Sequence, residues 1–331
     1  MSVREASREF NGKSLQLAVF SLFGNFLVYG AGLALAIRAG LHGQWAIYAL
    51  AVIVVAVAGV RMYVLQHDFG HLSFFKSKRA NELAGYATSL FTMAEFKTMQ
   101  YNHNQHHRDI GNLEHRESGE IYTMTLAEWN EAGWAKRTYY RLYRNPFVLI
   151  PLGALWTYFL AYRVPRNTRK WPLHVIAHNL ALFAYFDALY AIGGMLAVWT
   201  LLLAVLIAGS LGVFLVYLQH NFEDTYWDRK PDLSFERAAI EGASCLNFGW
   251  VFDEAVANIT KHDIHHLNAS IPSYRLREAH HALEGDFPLR LIGFREALHA
   301  FSLKLWDEEA QQLVRFPGAP QTRSSHAVGA E

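Results

Sequence analysis

Uncharged apolar stretches recur along the chain and are long enough to predict membrane-spanning helices. Leu17 to Ile37 and Met195 to Leu218 contain no charged residue, and Gln44 to Val60 continues as an apolar pattern past Arg61 to Leu65. Because a helix rises about 1.5 Å per residue, stretches of this length cross a hydrocarbon core about 30 Å thick.

Three further apolar stretches are less clear. Leu173 to Ile192 is the fourth predicted span, although it carries His174 and His178, which we expect to bond neighbouring helices rather than a metal. Pro146 to Tyr162 contains a proline and is interpreted as an interfacial or re-entrant helix. Ala84 to Ala94 is too short to span.

Positive charge predicts the orientation of these spans. Lysine and arginine flank the polar sides of the spans at Arg4, Arg8, Lys13, Lys76, Lys78, Arg79, Arg163, Arg166, Arg169, Lys170, Arg229 and Lys230. Cytoplasmic loops carry such an excess, so both termini and both large polar segments are expected in the cytoplasm. The turn between the first two spans has only Arg38, and the turn near Gly193 has no charge.

The predicted fold is therefore an all-α integral membrane domain over residues 1–316. Four spans at about 17–37, 44–65, 173–192 and 195–218 form two hairpins with interfacial helices, under a cytoplasmic helical domain that carries the histidine-rich segments. Residues 317–331, PGAPQTRSSHAVGAE, lack periodicity and are expected to be disordered.

Histidine is the residue type with the most unusual distribution, with 17 copies. Three compact sets have helix-compatible spacing: HDFGH at 67–71, HNQHH at 103–107 and HDIHH at 262–266. Residues at i, i+3 and i+4 share one face of a helix, so each set presents its rings together. His220 ends the last long span in LQHN.

This many imidazoles exceeds what one ion coordinates, so a two-metal site is expected. Imidazole suits iron, copper, zinc and nickel, and spacing alone does not choose among them. Four nearby polar residues are expected to orient the ligand rings: Asp68, Asn104, Asn258 and Asp263. The histidines at 42, 115, 280, 281, 299 and 326 are interpreted as surface or structural.

Composition excludes several other classes. A net charge of +1 argues against nucleic-acid binding, which usually requires a strongly basic surface. The single cysteine, Cys245, excludes an intrachain disulfide and a cysteine-based metal cluster. A zinc-dependent membrane hydrolase or a metal-transport path stays open but is disfavoured, because the histidine sets follow span ends and polar segments rather than a pore.

The three histidine sets, with their flanks, resemble those of the membrane fatty acid desaturase family, closest to bacterial acyl-lipid delta-12 (omega-6) desaturases. The similar segments include QHDFGHLSFFKSKRANELAG, YRNPFVLIPLG, YLQHNFEDTYW and NITKHDIHHLNASIPSYRL, over roughly residues 15 to 290. Differences from the family pattern are Phe69, Leu72 and Met99. His262 stands where front-end desaturases carry glutamine.

The resemblance implies a di-iron (Fe2+) centre that uses O2 to desaturate a fatty acyl chain on a lipid or other carrier. It implies metal ligands at His67, His71, His103, His106, His107, His220, His262, His265 and His266. A fused cytochrome b5 motif, H-P-G-G, does not occur in the sequence, so electrons are expected from a separate donor such as a ferredoxin. The expected location is a bacterial cytoplasmic membrane, with the site on the cytoplasmic side.

Three points stay open at this level. Acyl or lipid hydroxylation and acetylenation use the same kind of centre. An apolar tunnel is expected to place the acyl chain, with aromatic segments Phe74-Phe75 and Phe183 to Tyr190 as possible walls. Basic residues beside the sets, such as Lys78 and Arg108, either dock a phosphorylated group or acidic donor or simply flank the membrane.

Overall fold

The chain is mostly helical in the computed structural model, which describes residues 2–116, 121–164, 172–230, 232–287 and 289–318. The helices are α1 Val3–Ser7, α2 Leu15–Leu41, α3 Trp45–His71, α4 Lys78–Thr92, α5 Phe96–Asp109, α6 Leu126–Glu131, α7 Trp134–Tyr143, α8 Pro146–Ala154, α9 Pro172–His220, α10 Phe235–Glu241, α11 Trp250–Ala255, α12 His262–Leu267, α13 Ser273–Leu283 and α14 Phe294–Ala300. The predicted disordered tail lies outside the described residues from position 319 onward.

Among the described residues, three helices are long and apolar enough to cross a membrane: α2, α3 and α9. Helices α2 and α3 are each 27 residues long, about 40 Å, and pack side by side. This exceeds the roughly 30 Å of a hydrocarbon core, so α3 has length to spare beyond its apolar part. The extra turns carry His67 and His71, which the sequence had placed just after the span.

Helix α9 is 49 residues long and is interrupted at the point where two predicted spans meet. Gly193 and Gly194 have non-helical backbone angles there, and Gly194 has a φ of 61°, which favours glycine. A side chain on Gly193 would have its Cβ 2.7 Å from Ile37 Cγ2, so the break packs closely against the end of α2.

A sharp bend separates α7 from the segment that was predicted to be interfacial or re-entrant. Helix α8 contains Pro151 and continues into a π-helix, Leu155–Leu160, and a short 3-10 helix, Ala161–Arg163. Its axis is bent by 70° from that of α7, as in a broken span or a re-entrant loop. Counting this pair as a span would raise the number from three to four.

The all-helical prediction missed two small sheets in the polar part of the chain. Their strands are β1 Met124–Thr125, β2 Cys245–Leu246, β3 Leu291–Ile292, β4 Leu305–Asp307 and β5 Gln312–Val314. One sheet has the order β1-β4-β5, with β1 and β4 parallel and β4 and β5 antiparallel; the other pairs β2 and β3 in parallel. These strands join segments that are far apart in sequence, so the local pattern of apolar and polar residues does not predict them.

The main apolar core runs without interruption from the long helices to the histidine-bearing helices. It includes Val55 and Ala204 between the long helices, Leu65 and Phe69 on α3, and Ile264 on α12. Of the aromatic residues predicted as tunnel walls, Phe183 and Tyr190 are exposed on the outer surface. Tyr185 and Phe186 pack against the core, and Phe74 is buried against Phe69.

Candidate metal centre

The three histidine sets lie on α3, α5 and α12, which bring them together. α3 ends at His71, followed by Leu72 with a φ of 58°. α5 is preceded by its N-cap residue Glu95, whose carboxylate accepts hydrogen bonds from the N–H groups of Lys97 (3.0 Å) and Thr98 (2.7 Å). This carboxylate cap satisfies two of the unpaired donors of the first turn and so fixes where α5 starts.

All nine histidines expected from the sequence come together in two groups. In each group one ring nitrogen per residue lies within 4.8 Å of the others. The first group consists of His67, His71, His103, His107 and His265. The second group consists of His106, His220, His262 and His266. The sets HNQHH and HDIHH each divide between the groups, so the two groups are adjacent.

The ring nitrogens converge at distances that suit a shared metal ion. In the second group, Nε2 of His266 lies 3.1 Å from Nε2 of His106 and 3.0 Å from Nε2 of His262, which is 3.0 Å from Nε2 of His220. In the first group, Nε2 of His107 lies 2.8 Å from that of His103 and 3.0 Å from that of His265. Two imidazole nitrogens about 2.1 Å from one ion, at a right angle, are about 3.0 Å apart.

The environment of six of these rings favours the neutral form, which metal binding requires. Burial, reinforced by neighbouring histidines, lowers the pKa well below its usual value at His103, His106, His107, His262, His265 and His266. Nε2 of His67 and of His71 are buried without a hydrogen-bond partner among the described residues. Unpaired buried nitrogens are costly, and a metal ion would satisfy both.

One histidine has a hydrogen-bond partner that fixes the orientation of its ring, and another lies beside a carboxylate. Nδ1 of His220 lies 3.0 Å from the carbonyl oxygen of Gly242, to which it can donate, leaving Nε2 directed into the second group. Nδ1 of His67 lies 3.4 Å from Oδ1 of Asp68 without hydrogen-bond geometry, while the other oxygen of Asp68 accepts the Ser273 N–H at 2.7 Å. A hydrogen-bond partner such as the Gly242 carbonyl sets the tautomer and angle of a ring.

The other predicted orienting residues have different roles. Asn104 is exposed on the outer face of α5. Asn258 donates to the Ser273 carbonyl at 3.3 Å. Asp263 accepts the Ile264 N–H at 2.8 Å, and burial raises the pKa of its carboxyl to about 7. Of the four, Asp68 is the one with a described contact to a histidine of the two groups.

A buried arginine that the sequence interpretation missed braces the second group. Arg144 is 0% exposed and donates to Thr123 Oγ1 at 2.8 Å and to the Asn221 side chain. Asn221 follows His220 and donates to the Ala300 carbonyl at 2.9 Å. Lys304 donates to the Arg144 carbonyl at 2.6 Å. This network joins four distant segments directly beside His220.

A second brace holds the start of α12. The buried carboxylate of Asp253 accepts a hydrogen bond from Thr260 Oγ1 at 2.6 Å and lies 3.2 Å from Nζ of Lys261. Lys261 immediately precedes His262. Gln219, next to His220, donates to the Ile259 carbonyl at 2.8 Å. The third histidine set is therefore tied both to α11 and to the end of α9.

The histidines expected to be structural lie outside both groups. His174 Nδ1 lies 3.3 Å from the Tyr86 hydroxyl and His178 Nε2 lies 3.0 Å from the Ser89 carbonyl, which joins α9 to α4. These contacts confirm the prediction of interhelical bonding. His280 is buried and pairs with Glu284 at 3.2 Å. His326 lies outside the described residues.

Comparison with known proteins finds a family model and a relative with the same description. The family model "Fatty acid desaturase" matches residues 43–297. A "Fatty acid desaturase" of Bacillus subtilis is 34% identical over 263 residues, which are 77% of this chain and 74% of that protein.

Two proteins of Synechocystis are more distant. The "sn-1 acyl-lipid omega-3 desaturase (ferredoxin)" is 27% identical over 67% of this chain and 63% of its own length. The "sn-1 oleoyl-lipid 12-desaturase" is 24% identical over 68% of this chain and 65% of its own length. The chain thus spans slightly less than two thirds of these two relatives.

Proposed function

Because the chain belongs to the fatty acid desaturase family and is an oxidoreductase of that family, we propose that it is an O2-dependent di-iron desaturase that introduces a double bond into a fatty acyl chain. The observation that carries this proposal is the convergence of nine histidines into two adjacent groups. An all-imidazole donor set of this size suits two ions of a redox metal such as iron.

The proposed ligands of one ion are His67, His71, His103, His107 and His265. Those of the other are His106, His220, His262 and His266. Bound there, iron would supply the oxidation chemistry with O2. The protein's own part is to keep the rings neutral, to direct their Nε2 atoms inward and to limit water around them by burial.

The membrane arrangement that we propose has four spans in two hairpins, α2 with α3 and the two halves of α9. Its support is that the break at Gly193 packs against Ile37, beside the α2–α3 turn, while the far ends of α3 and α9 bring His71 and His220 to the metal centre. Positive flanks on that side favour a cytoplasmic site in a bacterial cytoplasmic membrane, within one domain of residues 1–316.

The proposed substrate is a fatty acyl chain carried by a lipid or another acyl carrier, and the proposed electron donor is a separate ferredoxin-like protein. The support is that the similar proteins of Synechocystis are acyl-lipid desaturases, one of them named with ferredoxin. His71, His103 and His107 are half-buried whereas the second group is buried, so the first group is the side from which we propose that substrate approaches.

Expression in a bacterial host followed by gas chromatography and mass spectrometry of total fatty acids tests this function. We expect a new acid that lacks two hydrogen atoms, absent from a His265→Ala strain and present in a His281→Ala strain, because His281 lies outside both groups. A product with one added oxygen atom would identify a hydroxylase, and a triple bond would identify an acetylenase. An unchanged profile with a co-expressed ferredoxin system would contradict the proposal.

A further inference from the structure

Two short helices of the polar part, linked through the ring of Phe248, each expose large apolar side chains. Trp250 and Val251 on α11 are 70% and 63% exposed, and Phe294 and Leu298 on α14 are 68% and 57% exposed. The ring of Phe248 lies between the helices, 5.3 Å from Phe252 and 6.3 Å from Phe294. We call Trp250, Val251, Phe294 and Leu298 the apolar seat.

The depth of the apolar seat relative to the membrane follows from its contacts with α3. Helix α11 packs against α3, and Arg61 donates to the Glu254 carbonyl and lies 3.7 Å from its carboxylate. Arg61 also lies 3.5 Å from the Ser21 hydroxyl of α2. Arg61 precedes His67 by nearly two helical turns, about 9 Å along α3 towards the centre of the span.

The surface of α2 at this level is apolar and faces outward. Phe20 and Phe23, on either side of Ser21, are 78% and 65% exposed, as expected of side chains that contact lipid. Through Glu254, Arg61 and Ser21, the α11 part of the apolar seat therefore lies at the level of these exposed apolar side chains of α2. Large contiguous apolar patches of this kind mark interaction sites.

The charges beside the apolar seat also suit a membrane surface. Glu254 lies 2.9 Å from Arg277 in addition to Arg61, so two arginines share one carboxylate. The excess positive charge complements phospholipid phosphate groups at the same depth. Tryptophan, as at position 250, is enriched where apolar and polar layers of a membrane meet.

We propose that the apolar seat is embedded in the membrane interface and sets the depth of the third histidine set. The link is Asp253 of α11, which holds Thr260 and Lys261 directly before His262. A phospholipid bilayer is thus the partner of α11 and α14. This interaction goes beyond the proposed oxidation and does not depend on which metal is bound.

Spin labels on the full chain in phospholipid vesicles test the apolar seat. Val251→Cys and Leu298→Cys are made in a Cys245→Ala background, because Cys245 is the only cysteine and is buried. Phe20→Cys supplies a lipid-facing reference and the exposed Glu309→Cys a water-facing one. Collision with O2 and with a water-soluble nickel chelate is measured at each position.

We expect the ratio of O2 to chelate collisions at both positions to match that of Phe20→Cys. A ratio that matches Glu309→Cys would overturn the proposal and leave the surface free for a protein partner. A second measurement avoids cysteine variants: brominated lipid should quench the fluorescence of wild-type chain more than that of Trp250→Phe, whereas Trp306→Phe, at a buried position, should keep the quenching. Equal quenching in wild type and Trp250→Phe would contradict the proposal. Neither readout needs turnover, so failure here is distinct from absence of desaturation.

Discussion

The two histidine groups differ in how far they are closed to solvent. In the first group His71, His103 and His107 are half-buried, whereas all four members of the second group are buried. The second group is also the one that adjoins the Arg144 network, through Asn221 next to His220. One group is therefore open on one side, and the other is enclosed and braced.

This difference corresponds to two requirements of the proposed centre, access for substrate and fixed positions of the histidine rings. A site that oxidises an acyl chain needs a side that substrate and O2 can reach, and it also needs ligands that keep their geometry. Both groups depend on the same helices, because sets such as HNQHH on α5 divide between them. Because the groups differ in exposure, substitutions in the two groups should nevertheless have different effects on activity and metal binding.

The largest effect is expected from removal of a buried ligand. His262→Ala should lower product formation by more than about 100-fold, since changes to residues that merely orient ligands already cost about 10–100-fold in affinity or activity. Product is measured by gas chromatography of cellular fatty acids. His281→Ala serves as the matched control, and retained activity in His262→Ala would exclude it as a ligand.

Chemical rescue would sharpen the contrast between the groups. His103→Ala should lose as much activity as His262→Ala, but added imidazole should restore part of it, because the vacated position adjoins solvent. The buried position of His262 should not be rescued. Equal rescue of both variants, assayed with purified protein, would show that the groups do not differ in access.

The next largest effect is expected at the buried arginine. Arg144→Met should destabilise the protein by about 3 kcal/mol, because it leaves several buried oxygens without a donor. The measurement is the apparent melting temperature, which should fall by several degrees, together with metal content, which should fall. Arg141→Met, at an exposed position on α7, is the control. An unchanged melting temperature would contradict a bracing role.

A smaller effect is expected at the carboxylate beside His67. Asp68→Asn should weaken metal binding at the first group by about 10–100-fold, the range for residues that orient a ligand. Titration of metal-free protein with Fe2+ under anaerobic conditions measures this. Binding at the second group should keep its wild-type affinity, and equal weakening at both groups would argue against a local role for Asp68.

The smallest predicted effect is a pH dependence of stability. Burial and the nearby Arg144 lower the pKa of Lys304 from 10.5 to about 7. Between these values the unfolded chain binds more protons than the folded one, so this residue's contribution to stability rises with pH from about 7 to about 10.

Thermal unfolding across that pH range checks the sign of this effect. Relative to Lys304→Met, the wild-type protein should gain apparent melting temperature as the pH rises. Lys136→Met, at an exposed position, should follow the wild type throughout. A difference between wild type and Lys304→Met that stays constant with pH would contradict a depressed pKa.

The gathering of these histidines could be predicted from the sequence because they repeat at helical spacing. Residues at i, i+3 and i+4 are brought together by one helix, so each set was visible before any tertiary contact was known. The long apolar helices were predictable from the length of their uncharged stretches, including the break between residues 192 and 195.

The braces could not be predicted because they join residues far apart in the chain. Arg144 bonds Asn221 across 77 positions, and the Lys304 amine reaches the Arg144 carbonyl across 160 positions. Strands of two or three residues give no period-two pattern, so β1 to β5 were missed. The sequence also did not show which aromatic side chains of 183–190 face outward: Phe183 and Tyr190 are exposed, whereas Tyr185 and Phe186 pack against the core.

The central claim is that the two histidine groups hold two iron ions, and metal analysis of the purified chain tests it most directly. Inductively coupled plasma mass spectrometry, normalised to protein by amino-acid analysis, should find about two iron ions per chain and little zinc. The His262→Ala and His103→Ala variants should each contain less iron. A single metal ion per chain, or zinc in place of iron, would contradict the account.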